Sequence, residues 1–392
     1  MTQRPIKILF VGSVVPDTAM YRTSAFSRAG NLAQQGLLDG MADEGAELTV
    51  LGFQPVPAFP RGKQLWIQGS WLGGRHQQRL ISFVNLPYAK QLSLAGGILT
   101  GTYALSRRSR PQVLMSYNVN TFVAAPLIVL SKVLRIPYIP VVYDVDVPGA
   151  TVANGLFQRG EYWWAGRVLP KLAGAVVGTE LISRELMPDR PTLVVEGGLN
   201  WQQQQYAPEV VASDDTFNIV FAGALEAYNG VDVMIDALAW LPANVRLHVA
   251  GQGRLQTAVQ TAAARDSRIL YHGLLDMDGL RQLYARSDVL VNHRSDKRLD
   301  SRYVFPSKLI EYLALGLPVV STHFRSLPKD YLPFLHLIPD ESPDALAKSI
   351  EQVMISNQEA RLRAQNAQTF VHKQKAWSFQ GQRILGFLRG FL

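Results

Sequence analysis

Apolar and polar positions fall into blocks that alternate in period along the chain. Ile6–Val11 and Glu47–Leu51 read as buried strands, and the spacing of Ala25–Met41 between them predicts a helix. Pro87–Arg108 then predicts a helix, Val113–Tyr117 a strand, Phe122–Leu134 a helix and Tyr138–Tyr143 a strand. Residues 53–80 break the rhythm with three prolines and four glycines, which predicts an irregular loop region. Gly160 opens an aromatic-rich helix, and Ala173–Gly178 and Thr192–Glu196 are two further strands. A polar, glutamine-rich stretch from Asn200 to Asp215 predicts an interdomain linker. The pattern restarts with a strand at Asn218–Gly223, a glycine-bounded loop from Gly223 to Gly230 and a helix over Val231–Leu241. Strands at Arg246–Ala250, Ile269–Gly273 and Asp288–His293 follow, and the final helix lies around Trp377–Leu392. Repeated β-α-β units predict α/β architecture, with doubly wound parallel sheets and ligand loops at the strand C-termini.

The stretch Phe305–Ser321 carries the most chemistry. Pro306 suits the first turn of a helix, Gly316 a left-handed C-terminal turn, and Pro318 bars continuation into the strand that begins at Val319. Leu309, Ile310, Tyr312, Leu313 and Leu315 run nearly all round this helix, so it is predicted to be buried. Ser307, Lys308 and Glu311 share its one polar face. Buried charge is costly without a partner. A nucleoside diphosphate would supply one, with phosphates at the helix N-terminus and Lys308, and ribose hydroxyls on Glu311. A Lys308–Glu311 ion pair is the alternative.

Composition narrows the class. At 392 residues and 47% hydrophobic content the chain predicts two globular domains. Zero cysteines exclude disulfides, thiolate metal sites and cysteine nucleophiles. The N-terminus has no apolar signal core, and the longest apolar run, Phe122–Leu130, is too short to span a bilayer, so a cytoplasmic enzyme is expected. The net charge of +8 is uneven: residues 1–205 hold 19 Lys/Arg against 12 Asp/Glu, and the remainder 20 against 19. Basic residues near Trp66 and Trp71 suggest an anionic membrane surface, peripheral on its inner face; a solvated loop is the alternative. No recognition motif points to nucleic acid.

Two positions in the first half are candidates. Gly12 follows the first strand and allows close approach of a ligand, or simply makes a tight turn. Asp144 and Asp146 form an Asp-x-Asp that invites a divalent ion, with a loop-capping role as the alternative; no metal is expected.

The run Phe305-Pro-Ser-Lys-Leu-x-Glu-Tyr-Leu-Ala-x-Gly-x-Pro-Val-Val320 resembles the nucleotide-sugar segment of retaining glycosyltransferases of family 4, which have the GT-B fold. The similarity covers most of the chain and is strongest from Asn218 to Thr322. It departs from the common pattern in several places. Tyr303 stands where a first glutamate precedes Glu311 by eight residues, and Ala224 and Asn229 replace the Arg and Lys of the glycine loop, although a subgroup with a Glu-x-Tyr-Asn-Gly loop is similar. Tyr143-Asp144 occupy the place of a histidine that meets the donor sugar, making Asp144 the candidate there.

The resemblance implies two doubly wound Rossmann-like domains facing across a cleft: an acceptor domain (1–200), a donor domain (201–374) and a C-terminal helix (375–392) packing back on the first. It implies retaining transfer of a sugar from a nucleotide sugar to a glycan or lipid-linked glycan, without cofactor. Gly223, Asn229, Gly230, Gly251, His272, Ser307 and Glu311 are the donor-binding candidates. Arg294 and Lys308 are the replacement cations for the diphosphate, with Arg298 and Arg302 as alternatives. A nucleotide-sugar epimerase shares the fold but needs acid–base groups in the first domain, where His76 is the only histidine. A non-catalytic nucleotide-sugar-binding module is the third reading.

Overall fold

The computed structural model of the chain describes residues 4–199 and 216–392, apart from positions 17, 19, 22, 24, 74, 146 and 148–154. The expected linker and Asp146 lie outside the described residues. The chain divides into two compact units: Met1–Gly198 with Tyr303–Phe305 and Ala376–Leu392, and Leu199–Arg302 with Pro306–Lys375.

In the first unit, β1 (Lys7–Gly12) and β2 (Glu47–Gly52) pair in parallel. Outside them β3 (Trp66–Ile67) and β6 (Phe83–Val84) form a small antiparallel pair, while β4 (Trp71–Leu72) and β5 (Gln77–Leu80) extend the main sheet. With β7 (Val113–Ser116) its order is β4-β5-β2-β1-β7. Single bridges at Leu114–Tyr138 and Tyr117–Val141 lead on to β8 (Val141–Val142), β9 (Ala175–Val177) and β10 (Thr192–Val194).

Alternate side chains of β1 enter different cores. Ile8 and Phe10 meet Leu37, Leu38 and Met41 of α1 (Arg28–Asp43). Leu9 and Val11 meet Leu94, Ile98 and Leu105 of α2 (Ala89–Ser109), with Val123 and Leu127 of α3 (Thr121–Leu134) beside them. A strand buried on both faces reads as an unbroken apolar run, hence the Ile8–Val11 pattern.

Local chemistry moves several boundaries. α1 starts at Arg28 rather than Ala25, because the Ser27 hydroxyl accepts from the Gly30 N–H at 3.2 Å and caps the helix. The strand expected over Tyr138–Tyr143 shrinks to two residues: Pro137 and Pro140 have no N–H to donate to a ladder. The region 53–80, expected to be irregular, holds three of the short strands.

The second unit is a six-stranded parallel sheet of β11 (Phe217–Ala222), β12 (Val245–Ala250), β13 (Ile269–Gly273), β14 (Val289–Asn292), β15 (Val319–Thr322) and β16 (His336–Ile338). Its order is β13-β12-β11-β14-β15-β16. The helices between and after them include α5 (Val231–Ala237), α6 (Gln256–Arg265), α7 (Met277–Ala285), α8 (Lys308–Ala314), α9 (Pro343–Ile355) and α10 (Asn357–Gln374). The chain winds outward from β11 first one way and then the other, so the topological switch lies between β11 and β14.

The last helix, α11 (Trp377–Arg389), packs on α1 of the first unit, burying Trp377, Ile384, Leu385 and Leu388. The two backbones touch through glycine. A Cβ added at Gly40 would stand 2.0 Å from the Trp377 carbonyl oxygen, and one at Gly381 would stand 2.1 Å from that of Gly40. Gly40→Ala is therefore expected to cost about 1–3 kcal/mol, the usual range for overpacking. Gly160→Ala, on the exposed helix α4 (Leu156–Val168) with nothing within 4 Å of the new methyl, is expected to be neutral or slightly stabilising. Thermal denaturation of both variants checks the contrast; equal melting temperatures would contradict it.

Candidate functional site

The strand ends of the second unit converge on Ala222, the last residue of β11. Its backbone N–H donates to the buried Tyr312 hydroxyl at 2.9 Å, and that hydroxyl donates back to the Ala222 carbonyl at 3.2 Å. The Lys308 ammonium donates to the same carbonyl. Lys308 and Tyr312 stand four apart on α8 and so share a face. Burial pushes the Tyr312 hydroxyl up and the Lys308 ammonium down, the latter partly offset by Glu311. One of the three ammonium hydrogens is used here, leaving donors for an anion.

Gly223 follows, with its α-carbon against the Lys308 side chain: an added Cβ would lie 3.6 Å from Nζ. Gly251 closes over the other side. Its φ of +137° suits glycine, and a Cβ there would lie 1.8 Å from the Gly223 carbonyl oxygen. The Gly223 and Leu225 N–H groups donate to Ala250 and Gln252 at 2.9 Å each, which locks the two turns together.

The loop's far end is held by residues following β14, across the topological switch. The Arg294 guanidinium is buried over the Tyr228 ring, 4.8 Å from its centroid, and reaches the Asn229 side-chain oxygen at 3.4 Å. Thr322 fixes the Arg294 backbone, accepting from its N–H at 2.8 Å and donating to its carbonyl at 2.7 Å. The Ser295 N–H donates to the Tyr228 carbonyl at 2.9 Å. Gly230, with φ +63°, rests on the buried His293 ring. Lys308 and Arg294 thus grip one loop at its two ends. Arg298 and Arg302, the alternative cations, are held by Asp232 at 2.7 Å and Asp300 at 2.8 Å respectively.

On α8, Ser307 is exposed and caps no N–H through its side chain, and Pro306 precedes the helix instead of opening it. Gly316 takes φ +69°, the left-handed turn expected of it. Glu311 is half-buried and, among the described residues, its carboxylate makes no hydrogen bond or ion pair, so the Lys308–Glu311 pair is not formed.

His272 is directed elsewhere. Its ring stacks on His248 with centroids 5.2 Å apart, its Nε2 is 3.0 Å from His248 Nδ1, and His248 Nε2 reaches Asn218 Oδ1 at 3.1 Å near the start of β11. This chain of contacts runs along the sheet and away from the strand C-termini.

In the first unit, an added Cβ at Gly12 would lie 2.2 Å from Gln34 Oε1, so its missing side chain makes room for the unit's own helix α1. Asp144 is exposed after β8, and its N–H and that of Tyr143 donate to the Asn118 side-chain oxygen at 3.2 and 2.8 Å. Among the described residues no group of three His, Asp or Glu is placed to hold a metal. Tyr303, at the place of the family's first glutamate, is buried in the first unit with its hydroxyl donating to Glu185 at 2.7 Å.

Sequence reasoning missed Tyr312, Tyr228 and Thr322. Tyr312 did carry a signal: a tyrosine on a helix apolar all round must find a partner for its hydroxyl. Nothing local marked the other two, whose partners lie more than 25 residues away.

Residues 216–356 match the family described as glycosyl transferases group 1. No curated protein matches the chain by sequence. Among solved structures, sucrose-phosphate synthase from Thermosynechococcus elongatus superposes with a TM-score of 0.73 at 15% identity over 98% of this chain and 99% of that one. HepE of Anabaena, in complex with UDP, gives 0.70 at 15% identity over 98% and 100%. WaaG, a glycosyltransferase involved in lipopolysaccharide biosynthesis, gives 0.61 at 13% identity over 97% and 98%. The chain shares the GT-B fold of these proteins, with its two Rossmann-like domains. Together with the group 1 match, that fold supports a GT-B glycosyltransferase.

Two outcomes are expected. Tyr312→Phe keeps the volume but leaves the buried Ala222 N–H without its acceptor, at a cost of about 1–3 kcal/mol in denaturant unfolding; an unchanged midpoint would show that the clamp is dispensable. Burial, with help from His272, Arg286 and Arg246, lowers His248 to about 4. The unfolded imidazole titrates near ~6.5, so the unfolded chain binds the extra proton between these values. Stability from this group is full above about pH 6.5 and is lost as pH falls toward 4. The acid-side slope of stability is expected to be shallower in His248→Gln; an identical slope would contradict the assignment.

Proposed function

We propose that the chain is a retaining glycosyltransferase that moves a sugar from a nucleotide-sugar donor to a glycan or lipid-linked glycan, without metal or cofactor. The observation that carries this reading is the construction at the switch point of the second sheet. A backbone loop and two cations meet there, with the Glu311 carboxylate one turn along α8, inside the segment that matches group 1 glycosyl transferases. The complex of HepE with UDP-glucose supports a nucleoside diphosphate sugar as donor.

In this reading the diphosphate lies against Gly223 and the N-terminal end of α8. Lys308 and Arg294 stabilise the charge that grows on the leaving diphosphate, work that a metal ion performs in other enzymes. Glu311, one turn further along α8, accepts from the ribose hydroxyls. In this reading the acceptor hydroxyl attacks from the face that the diphosphate leaves. The C–O bond to the acceptor forms as the anomeric C–O bond to phosphate breaks, and a phosphate oxygen takes the acceptor's proton. Asp144 of the first unit is the candidate contact for the sugar.

Donor turnover across a panel of nucleotide sugars, with and without glycan acceptors, tests the reading. Glu311→Ala is expected to weaken donor binding by about 1.5–3 kcal/mol, the scale of a charged hydrogen bond. Arg294→Ala and Lys308→Ala are expected to lower kcat by about 100-fold, because they act on charge that develops in the transition state. Activity should persist in excess chelator. Loss confined to KM, or loss on chelation, would contradict the cationic mechanism.

A further inference from the structure

From Leu48 to Tyr143 the chain contains ten Lys/Arg and no Asp or Glu. This acid-free span runs from β2 to β8 of the first unit and includes α2 and α3, although one of its cations, Arg75, is paired with Asp39 and Asp43 of α1. A net charge of this density on one stretch favours an anionic partner of large area.

The same span exposes apolar side chains in register. On α2, Leu92 (77% exposed), Leu99 and Tyr103 are separated by seven and four residues, which places them on one helical stripe. Arg107 continues near that stripe, and Arg108 and Arg110 finish the helix end. The opposite face of α2, with Leu94, Ile98 and Leu105, is the one that enters the core.

Asn85 enlarges the stripe at the start of α2. It is fully buried, and its side-chain amide donates to the carbonyls of Pro57 and Gln64 at 3.0 Å each. Its backbone N–H donates to the Leu65 carbonyl at 2.7 Å, and its carbonyl accepts from the Phe59 N–H at 2.9 Å. This hub ties the 57–65 loop to the turn entering α2. Phe59, Leu65 and Trp66 of the loop and Leu86 and Tyr88 of the turn are all exposed. Arg61 and Lys63 lie in the same loop, also exposed.

We infer that this face of the first unit, the outer stripe of α2 together with the Asn85-anchored loop, is a docking surface for an anionic lipid bilayer. Exposed aromatic and aliphatic side chains, accompanied by Lys and Arg from a span of sequence that holds no acidic residue, match the chemistry of a headgroup layer over hydrocarbon. A second copy of this chain is a poor occupant, because a twofold contact would set like charge against like charge. Among the described residues no helix is long and apolar enough to cross a membrane. The surface belongs to the first unit and its test needs no donor, so its failure and the failure of the donor-site reading are separable.

The test is sedimentation of the full chain with vesicles of phosphatidylcholine alone or mixed with phosphatidylglycerol, across a salt series. Binding is expected to require the anionic lipid and to fall as salt rises. Leu92→Gln combined with Leu99→Gln, and separately Arg107→Gln, Arg108→Gln and Arg110→Gln together, are each expected to reduce vesicle partition by about tenfold or more. Both sets should keep the wild-type melting temperature, since the altered side chains lie outside the core. Equal binding to neutral vesicles, no binding to either, or a concentration-dependent dimer that the Leu92/Leu99 variant abolishes would overturn the proposal.

Discussion

The end of β11 is the constraint on which the second unit's site depends. Ala222 has no polar side chain, yet its N–H and carbonyl are both engaged by α8, through the Tyr312 hydroxyl and the Lys308 ammonium. That double contact sets the height of α8 against the sheet. It thereby fixes where Lys308 meets Gly223 and how far Glu311 stands from the loop. A buried ammonium is expensive, and here a neutral carbonyl meets part of that cost without neutralising the charge. The consequence is a cation held in place at a strand end with hydrogen-bonding capacity to spare, next to a glycine that leaves room for a ligand.

The two ends of the Gly223–Gly230 loop are controlled from opposite sides of the switch point, one by α8 and the other by the residues after β14. Three arginines of the unit are held by carboxylates: Arg298 by Asp232, Arg302 by Asp300 and Arg268 by Asp266. Lys308 pairs with no carboxylate among the described residues, although Glu311 lies one turn away on its own helix. This difference in partnering gives the cations of one small unit different work. It also matches the near balance of charge over that half of the sequence, set against the acid-free span of the first unit.

Much of the α/β architecture was legible from the chain. Strands buried on both faces, such as Ile8–Val11 and Ile219–Ala222, announce themselves as apolar runs, and Gly316 and Pro318 mark the end of α8 through backbone geometry alone. The two-residue strands between Trp66 and Val84 left no periodic signal, because two residues cannot display a period of two. What the candidate site showed in advance was residue type: a glycine-bounded loop, a Lys and a Glu on a buried helix. What stayed hidden was partnership. Neither the diversion of His272 to His248 nor the burial of Tyr303 against Glu185 can be read locally, since adjacent-strand register and contacts over 118 residues decide them.

In the proposed function a nucleoside diphosphate binds at the switch point of the second sheet. Titration of the isotopically labelled full chain with UDP, followed by backbone amide NMR, tests it most directly. Saturable shifts concentrated on Gly223, Gly251, the Tyr228–Gly230 turn and Ser307–Glu311 are expected. Shifts confined to other strand ends, or none at saturating nucleotide, would contradict it.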